Sequence, residues 1–566
     1  MYTAGSAFLE ALVEAGVSHV FVNWGSDHPS LIEAIAEARA KGVVMPHVIT
    51  CPNEMAALSA AHGFYQASGV AQAVIVHVEC GTQSMGGAVH NVAKGRIPVL
   101  IFAGASPFTQ EGELPGSRNE FIQWIQDVHD QRGLVRGYMR YDYELKTGRN
   151  IRQIVHRALQ FANSEPKGPV YLMGAREVME EEIPRAAVDP TQYRAIEPAA
   201  LPASGVVSIT SVLAAAERPL VVTSYAGRSG AAFSALTLFC RKHGVGVLES
   251  VPTYLNFPHT DELYQGNQWN QPVQNEALAS ADLVLVIDSD VPWIPAVSRP
   301  AVGAPIFQID ADPLKEQMPL FHVAATRVFR ADAATALAQL VELPADAARV
   351  ERRRAHWATL HRARLVRLEA LETEPAGEIS PEYLVARVRE IAGEDILFLN
   401  EGISNYHTVF NHLRLAEAGS IFASGGGSLG WNGGAAFGVK LARPDKTVIA
   451  LTGDGSYMFS APSSVHWMAR QYGAPFLQII FNNRGWKSPK LSALAVHPAG
   501  YASRAESLDV AFDPPPDYAG IAVAAGGALG LTVKEPGELD NALRAALRAV
   551  REEGRAAVLD VWVAKL

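Results

Sequence analysis

The chain has few cysteines. Among its 566 residues only Cys51, Cys80 and Cys240 are cysteines, and their spacing matches no metal or redox motif. A sparse, odd count argues against a disulfide framework and is typical of a reducing compartment. The sequence therefore predicts a cytoplasmic protein.

Basic runs and long apolar runs are also missing. The net charge is −10, and no stripe of lysine and arginine is interleaved with aromatic residues, so a nucleic-acid partner is not expected. No apolar run approaches the roughly 20 residues that span a bilayer. The first segment carries Glu10 and Glu14 and lacks a basic start, which is typical of an amphipathic helix and not of a signal peptide. We therefore expect no membrane partner.

Glycine and short apolar runs are abundant, with 47 glycines and 48% hydrophobic residues. Runs such as VSHVFVNWG, AQAVIVHVECG and KTVIALTGDG end in glycine and alternate with helical patterns. This alternation indicates βαβ units and parallel sheets, and so an α/β fold. Two linkers, a proline-rich stretch over 180–204 and one after a long charged helix, predict three α/β domains, 1–185, 200–345 and 378–566.

The segment TGDGSYMFSAPSSVHWMARQYGAPFLQIIFNNRG carries the sharpest chemical pattern. A predicted strand ends at Asp454, a helix follows, and the next strand ends at Asn482 and Asn483. Neighbouring parallel strands place such groups together at their carboxyl edge, and carboxylate and amide oxygens suit Mg²⁺, which usually also takes phosphate oxygens. The flanking glycines let backbone N–H groups approach that phosphate. The sequence predicts a site for Mg²⁺ and a phosphate group.

This segment resembles the diphosphate-and-magnesium motif of thiamine diphosphate (ThDP) enzymes. The group includes acetolactate synthase, benzoylformate decarboxylase, oxalyl-CoA decarboxylase and 2-hydroxyacyl-CoA lyase. The resemblance covers the whole chain and implies a pyrimidine-binding, a central Rossmann-like and a diphosphate-binding domain. It implies Mg²⁺ ligands from the side chains of Asp454 and Asn483 and the backbone carbonyl of Gly485. Extra residues in the intervening loop leave Asn482 as an alternative to Asn483.

Further cofactor contacts follow from the same resemblance. The stretch LNEGISN is similar to the family loop that holds the diphosphate, and SGGGSLGWNGG to the segment before the motif. The implied cofactor-binding residues are Gly402, Ile403, Ser404, Asn405, Gly427, Ser428, Leu429, Gly453, Asp454, Gly455, Ser456 and Asn483. Leu429 would support the bent cofactor, although it also suits an ordinary core position. Gly425 to Gly430 match G-x-G-x-x-G, which leaves a weaker alternative of an NAD-dependent oxidoreductase.

The stretch TCPNEMAALSAAHGFYQASG places a carboxylate, Glu54, at the start of a helix that Asn53 can cap. An acid there is also favoured by the helix dipole alone. The stretch resembles the family's activating-glutamate helix, which implies that Glu54 is catalytic and bonds the aminopyrimidine ring of ThDP. The resemblance further implies that Glu54 and Asp454 of one site come from different subunits. We therefore expect an obligate homodimer, and a homotetramer as in many members of the family. The small residues after Glu54 would let this helix approach the subunit interface.

Two polar positions suit proton transfer to a substrate. Ser26 follows the first strand and His77 lies near the end of another, much as in benzoylformate decarboxylase. A turn serine and a satisfied core histidine are the structural alternatives. Gln83 and Gln126 are weaker candidates for substrate contacts.

One basic segment indicates the class of substrate. From Asn482 to Arg504 the chain has Arg484, Lys487, Lys490 and Arg504 and no acid. Such a segment suits CoA phosphates, and in CoA-using relatives the segment after the motif covers the CoA substrate. The sequence interpretation is therefore a lyase that cleaves a 2-hydroxyacyl-CoA to formyl-CoA and an aldehyde or ketone. Its alternatives are a 2-oxo acid decarboxylase or carboligase, and a non-catalytic ThDP-fold binding protein. FAD or ADP in the central domain stays open.

Overall fold

The computed structural model describes residues 2–565. It contains three six-stranded sheets, and every strand pair within them is parallel. The predicted class, three parallel-sheet α/β domains, is therefore confirmed. Each sheet lies within one of the three predicted segments, while the exact domain boundaries stay a prediction.

The N-terminal domain has the strand order β2-β1-β3-β4-β6-β5. Its strands are β1 His19–Val22, β2 His47–Thr50, β3 Gln72–Val76, β4 Val99–Ala105, β5 Tyr141–Glu144 and β6 Pro169–Ala175. Its helices are α1 Ala4–Glu14, α2 Pro29–Lys41, α3 Glu54–Ser68, α4 Val78–Ser84, α5 Gly86–Lys94, α6 Ile122–Ile125, α7 Ile151–Asn163 and α8 Arg176–Met179.

The central domain has the strand order β12-β11-β10-β7-β8-β9. Its strands are β7 Pro219–Thr223, β8 Gly246–Ser250, β9 Tyr264–Gln268, β10 Leu283–Ile287, β11 Ile306–Asp310 and β12 Arg327–Arg330. Its helices are α9 Ala203–Ala215, α10 Gly230–His243, α11 Glu276–Ser280 and α12 Ala333–Val341, and the long charged α13 Ala347–Leu371 leads to the next domain.

The C-terminal domain has the strand order β14-β13-β15-β16-β18-β17. Its strands are β13 Ile396–Glu401, β14 Ile421–Phe422, β15 Thr447–Gly453, β16 Leu477–Asn482, β17 Leu529–Val533 and β18 Ala557–Trp562. Its helices are α14 Pro381–Ala392, α15 Tyr406–Leu413, α16 Trp431–Ala442, α17 Asp454–Phe459, α18 Pro462–Gln471, α19 Lys487–Val496, α20 Tyr518–Gly526 and α21 Pro536–Arg551.

The central strands of each sheet are buried along their whole length, as β3 and β10 show. Helices cover both faces of such a sheet, which is why these strands are continuous apolar runs and not alternating ones. Because the helices cover the faces of the sheet, the carboxyl ends of the strands stay open, and polar loops can gather there.

Helices α3 and α16 pack against each other and join the N-terminal to the C-terminal domain within one chain. A Cβ on Gly63 would lie 2.2 Å from the carbonyl oxygen of Ala435, and one on Gly438 would lie 1.9 Å from that of Ala60. The small residues after Glu54 thus allow close helix packing inside the chain. Their expected approach to the subunit interface stays a prediction, because a composition of small residues predicts close packing but not its partner.

Arg96 joins the N-terminal domain to the carboxyl edge of the central sheet. Its guanidinium lies 2.9 Å from Asp290, 3.2 Å from Asp310 and 3.6 Å from Asp288, and Lys315 also pairs with Asp310, at 2.5 Å. These groups lie at the carboxyl ends of β10 and β11, near the point where the order of the strands reverses, which is where doubly wound sheets bind nucleotides. The three carboxylates are paired with Arg96, Arg228 and Lys315, so these cations are engaged within the protein.

Over residues 2–565, none of the helices combines the length and the apolar character that crossing a bilayer requires.

Candidate active site

A cavity of about 390 Å³ lies at the carboxyl edge of the C-terminal sheet. Four loops form its wall: those after β13, β15 and β16, and the loop before α16. The lining residues are Gly402, Ile403, Ser404, Asn405, Gly427, Leu429, Gly453, Asp454, Gly455, Ser456, Phe459, Phe481, Asn483, Gly485, Trp486, Lys487, Ser488 and Pro489. The cavity thus brings together most of the cofactor-binding residues expected from the sequence; Ser428 is not among its lining residues.

Asp454 is the first residue of α17 and is 2% exposed. Its carboxylate accepts hydrogen bonds from the N–H groups of Gly455, at 2.8 Å, and Gly485, at 2.9 Å. Burial raises the pKa of Asp454 to about 6, despite these bonds. A buried carboxylate without a cationic partner in the described chain fits a bound cation.

The side chains of the two adjacent asparagines, Asn482 and Asn483, have different surroundings. Asn482 donates to Asp560 at 2.8 Å and accepts from the N–H of Arg484 at 3.1 Å, so both ends of its amide are engaged away from the cavity. Asn483 lines the cavity, and its oxygen accepts from the N–H of Gly485 at 3.2 Å. The geometry therefore favours Asn483 over Asn482 as the asparagine that faces a ligand.

Backbone packing explains two of the glycines. A Cβ on Gly455 would lie 2.6 Å from the indole nitrogen of Trp486, and one on Gly485 would lie 2.3 Å from the carbonyl oxygen of Val510. Larger residues would push these loops apart and displace the oxygens of Asp454 and Asn483. The resulting donor set of carboxylate, amide and carbonyl oxygens fits Mg²⁺ together with a diphosphate.

Glu401, at the end of β13, fixes the start of α16. Its buried carboxylate accepts from the N–H groups of Gly430, Trp431 and Asn432 at 2.8, 3.1 and 2.9 Å. Burial raises the pKa of Glu401 to about 7, against the effect of the three bonds. The loop carrying Leu429 is thereby held against the cavity.

The G-x-G-x-x-G segment lies in the loop between β14 and α16. Its N–H groups at Gly427 and Ser428 donate to His90 and Asn91 of α5, at 3.0 and 3.1 Å. In a dinucleotide fingerprint the backbone approaches the pyrophosphate, and the engagement of these two N–H groups with α5 does not support the oxidoreductase alternative.

A second polar cluster lies at the carboxyl edge of the N-terminal sheet. Glu54, half-buried at the start of α3, accepts a hydrogen bond from Ser84 at 2.8 Å. Asn53 caps this helix through the N–H of Ala56, as predicted. His77 follows β3, and its hydrogen bond to Asp27 raises its pKa against the effect of burial, with smaller contributions from the nearby Gln126 and Glu54. The chain thus brings Glu54, His77 and Gln126 together.

Ser26 and Gln83, the other two candidates for substrate contacts, are less well placed than His77 and Gln126. Ser26 is half-buried in the turn after β1. Gln83 is exposed, and its amide donates to Glu79. The pairing with Glu79 leaves Gln83 a weaker substrate contact than Gln126, which is 4% exposed.

The two polar clusters are not joined within one chain. All the residues that line the C-terminal cavity lie between Gly402 and Pro489, so none comes from the N-terminal domain. Glu54 is therefore not part of the wall of the Asp454 cavity within the described chain.

The basic segment does not form one anion-binding surface. Arg484 pairs with Glu378 at 3.2 Å and lies over the ring of Trp562, away from the cavity. Arg504 is exposed and bonds to the carbonyls of Ala499 and Gly500. Lys487 lines the cavity, and Lys490 is half-buried on the same helix, α19. Of the four basic residues, Lys487 is the one on the cavity wall.

Two buried acids near these clusters were absent from the sequence prediction. Asp27 contacts His77, and Glu401 fixes α16. The adjacency of β1 and β3 in a parallel sheet could have placed Asp27 near His77. Nothing local in the sequence marks Glu401 as the partner of a helix 30 residues further on.

Comparison with known proteins agrees with this architecture. The family model for the N-terminal TPP binding domain of thiamine pyrophosphate enzymes matches residues 2–134, and that for the C-terminal TPP binding domain matches 402–561. Benzoylformate decarboxylase of Pseudomonas aeruginosa is 27% identical, over 97% of this chain and 98% of that protein. Acetolactate synthase isozyme 3 large subunit of Escherichia coli is 22% identical, over 100% of this chain and 95% of that protein.

The crystal structure of benzoylformate decarboxylase from Polynucleobacter necessarius superposes with a TM-score of 0.81 at 18% identity, covering 100% of this chain and 99% of that one. This likeness is one of fold. Both domain models match this chain, and its C-terminal cavity has the composition expected of a cofactor site. The chain therefore belongs to the thiamine pyrophosphate enzyme family.

Proposed function

We propose that this chain is a ThDP- and Mg²⁺-dependent enzyme that decarboxylates a 2-oxo acid, with carboligation as a related activity. The observation that carries the proposal is the Asp454 cavity, whose oxygen donors suit a metal-bound diphosphate. Similarity to benzoylformate decarboxylase along nearly the whole chain supports the reaction class.

The cofactor would be held by residues already described. Asp454, Asn483 and the carbonyl of Gly485 would bind Mg²⁺. The loop from Gly402 to Asn405 and the backbone of Gly453, Gly455 and Ser456 would hold the diphosphate, and Leu429 would contact the body of the cofactor. When bound, ThDP supplies a centre that stabilises a carbanion next to a carbonyl carbon.

The protein's part is to hold protons and the substrate. Glu54 would hold a proton between its carboxylate and the aminopyrimidine ring, with Ser84 orienting the carboxylate. His77, Ser26 and Gln126 would face the substrate. His77 is suited to move a proton near neutral pH.

The separation of the two clusters supports an obligate homodimer, in which the Glu54 edge of one chain covers the Asp454 cavity of another. Exposed apolar residues on the N-terminal domain agree with such an interface: Phe121 is 76% and Ile125 is 72% exposed, and Phe108 and Trp124 lie in the same segment of the chain. Large exposed apolar patches mark interaction sites. A homotetramer, which the family resemblance allows, is the larger alternative.

The 2-hydroxyacyl-CoA lyase interpretation loses its main support. It rested on four basic residues, of which Arg484 is paired with Glu378 and directed away from the cavity. The relatives described above are a decarboxylase and a synthase, so the alternative reaction class is preferred. A central-domain FAD or ADP is not part of the proposal, because the cations at that edge are paired with Asp288, Asp290 and Asp310.

Product analysis tests the reaction class. The protein is incubated with ThDP and Mg²⁺ and with benzoylformate, aliphatic 2-oxo acids or 2-hydroxyacyl-CoA thioesters, and products are identified by mass. The proposal expects CO₂ and an aldehyde or an acyloin from a 2-oxo acid. Formyl-CoA from a thioester, with no CO₂ from any 2-oxo acid, would restore the lyase interpretation.

A further inference from the structure

Asp27 lies in the turn after β1 and is 3% exposed. Its Oδ1 accepts a hydrogen bond from Nδ1 of His77 at 2.5 Å, and its Oδ2 accepts one from the N–H of Val78 at 3.1 Å. A carboxylate bonded to one imidazole nitrogen fixes the tautomer and orientation of the ring. The proton of His77 is thereby placed on Nδ1, and Nε2 is left for a ligand.

His28 lies on the other side of the same carboxylate. Its Nδ1 accepts from the N–H of Gly25 at 3.1 Å, so its proton is on Nε2, which lies 3.2 Å from Oδ2 of Asp27. Asp27 therefore lies between two imidazoles: it is hydrogen-bonded to His77, while Nε2 of His28 is close to it without hydrogen-bond geometry.

Two glycines leave the room for this arrangement. A Cβ on Gly25 would lie 2.0 Å from Nδ1 of His77, and a Cβ on Gly104 would lie 1.8 Å from Oδ2 of Asp27. Side chains at these positions would drive the imidazole and the carboxylate apart. The Asp27–His77 pair thus lies at the ends of β1, β3 and β4, where the two glycines leave room for it.

An unpaired amide lies beside the imidazole. Gln126 is 4% exposed, and neither atom of its carboxamide has a hydrogen-bond partner in the described chain. Gln126 lies close enough to His77 to favour its charged form, although the two side chains make no hydrogen bond of normal geometry. A buried amide without a partner costs free energy unless a ligand satisfies it, so Gln126 marks the side of His77 on which a ligand would bind.

We propose that Asp27 is a positioning residue that holds His77 as a cationic donor, with Nε2–H directed, next to Gln126, at the carboxylate of a 2-oxo acid. The identity of the ligand rests on the proposed function, whereas the pairing of Asp27 with His77 does not.

The charges around the ring agree with a cationic imidazole. The hydrogen bond to Asp27 raises the pKa of His77 above its ordinary value, burial lowers it, and Glu54 raises it further. Burial lowers the pKa of His28, so His28 holds a proton less readily than His77 does. Burial raises the pKa of Asp27, but its contacts with the two histidines and the Val78 N–H lower it by more. The Asp27 contact therefore favours the cationic form of His77, which donates from both ring nitrogens.

The test is the titration of His77 by NMR in the full chain. Histidine-labelled protein carries 17 histidine signals, and the one absent from His77→Gln is assigned. In wild type we expect a pKa above about 6.5 and a proton on Nδ1. In Asp27→Asn the pKa should fall by about 1 unit or more. Asp130→Asn, which removes an exposed carboxylate of the same domain, should leave it unchanged.

The kinetic counterpart is the pH profile of kcat/KM. The cationic form of His77 is present below its pKa and is lost as pH rises through it, so the alkaline fall should move to lower pH in Asp27→Asn by the shift seen in NMR. If Asp27→Asn does not fold, Gly25→Ala, which displaces the ring, provides the second comparison with wild type.

The outcomes separate the two proposals. A neutral His77 at pH 6.5 in wild type, or a His77 pKa unchanged in both variants, would overturn the role of Asp27. A raised, Asp27-dependent pKa in a protein that decarboxylates no 2-oxo acid would leave the pairing intact and overturn its assignment to a substrate carboxylate, together with the proposed function.

Discussion

At Glu54 a half-buried carboxylate begins α3, and its hydrogen-bond partner in the described chain is Ser84. The Asn53 cap fixes where the helix starts and therefore where this carboxylate lies. The proposed role of Glu54 depends on the position of this carboxylate at the carboxyl edge of the N-terminal sheet, close to His77.

Replacing Glu54 with Gln removes the carboxylate and keeps its size. We expect ThDP binding to change little, because the diphosphate contacts are on the C-terminal domain, while exchange of the C2 proton of bound ThDP slows by about 10²–10⁴-fold. Acid-quenched hydrogen–deuterium exchange measures this rate. Glu113→Gln, an exposed carboxylate of the same domain, is the control and should exchange at the wild-type rate. Equal rates in Glu54→Gln would remove Glu54 from catalysis.

Asp454 gives a pH-dependent prediction. Its pKa is raised to about 6 by burial, and a metal ligand must be deprotonated, so protons compete with Mg²⁺ below that pH. We expect the rise in Tm caused by Mg²⁺ and ThDP to be large at pH 7.5 and to shrink as pH falls through 6. Thermal unfolding at a series of pH values measures it.

Asp454→Asn is the matched comparison. Without the cation, an acid with a raised pKa destabilises the folded chain above that pKa, so the variant alone should be no less stable than wild type at pH 7.5. Its Tm should no longer respond to Mg²⁺. A wild-type response to Mg²⁺ in Asp454→Asn would show that the metal binds elsewhere.

The residue types of the C-terminal cavity could be predicted from a local motif, because Asp454 and Asn483 directly follow the adjacent strands β15 and β16. The choice between Asn482 and Asn483 could not, since it depends on which way each side chain points once β16 has formed. The pairing of Asp27 with His77 was missed for a related reason. It joins residues 50 positions apart, and only the strand order brings them together.

At the element scale, α3 and α16 meet through backbone contact. The carbonyl of Ala60 lies where a Cβ on Gly438 would be. Because cores are close-packed and backbone cannot move as a side-chain tip can, even one methyl group is costly there.

Gly438→Ala should therefore destabilise the chain by about 1–3 kcal/mol or more, although alanine favours helices. Chemical denaturation, followed by fluorescence, measures the shift of the midpoint. Gly537→Ala in α21 is the control, because a Cβ there meets nothing within 4 Å. A midpoint for Gly438→Ala that equals or exceeds that of Gly537→Ala would contradict this packing.

The strands were predictable because continuous apolar runs bounded by glycine are typical of buried parallel strands. The partner of α3 was not, since small residues between Met55 and Ala61 allow a close approach by any helix. The basic segment after Asn483 failed as a prediction of an anion site for a similar reason. Composition shows the charges, but the backbone sends Arg484 toward Glu378 and Trp562.

For the whole molecule, the separation of the Glu54 edge from the Asp454 cavity predicts complementation between chains. Glu54→Gln and Asp454→Asn should each be inactive alone. Mixed and co-refolded one to one, they should recover about a quarter of wild-type activity, because half of the dimers are mixed and one of their two sites is intact. Native mass spectrometry confirms the mixed dimers, and mixed dimers without activity would place the site in one chain.

The proposed chemistry of the molecule is a ThDP- and Mg²⁺-dependent loss of CO₂ from a 2-oxo acid. Its most direct measurement is the release of ¹³CO₂ from carboxyl-labelled 2-oxo acids, benzoylformate first, by protein stripped of cofactor and metal. We expect ¹³CO₂ to be released when ThDP and Mg²⁺ are both restored. We expect little release when either is withheld, and none above background with Asp454→Asn. Release that is independent of added ThDP, or absent for every 2-oxo acid with ThDP and Mg²⁺ bound, would contradict it.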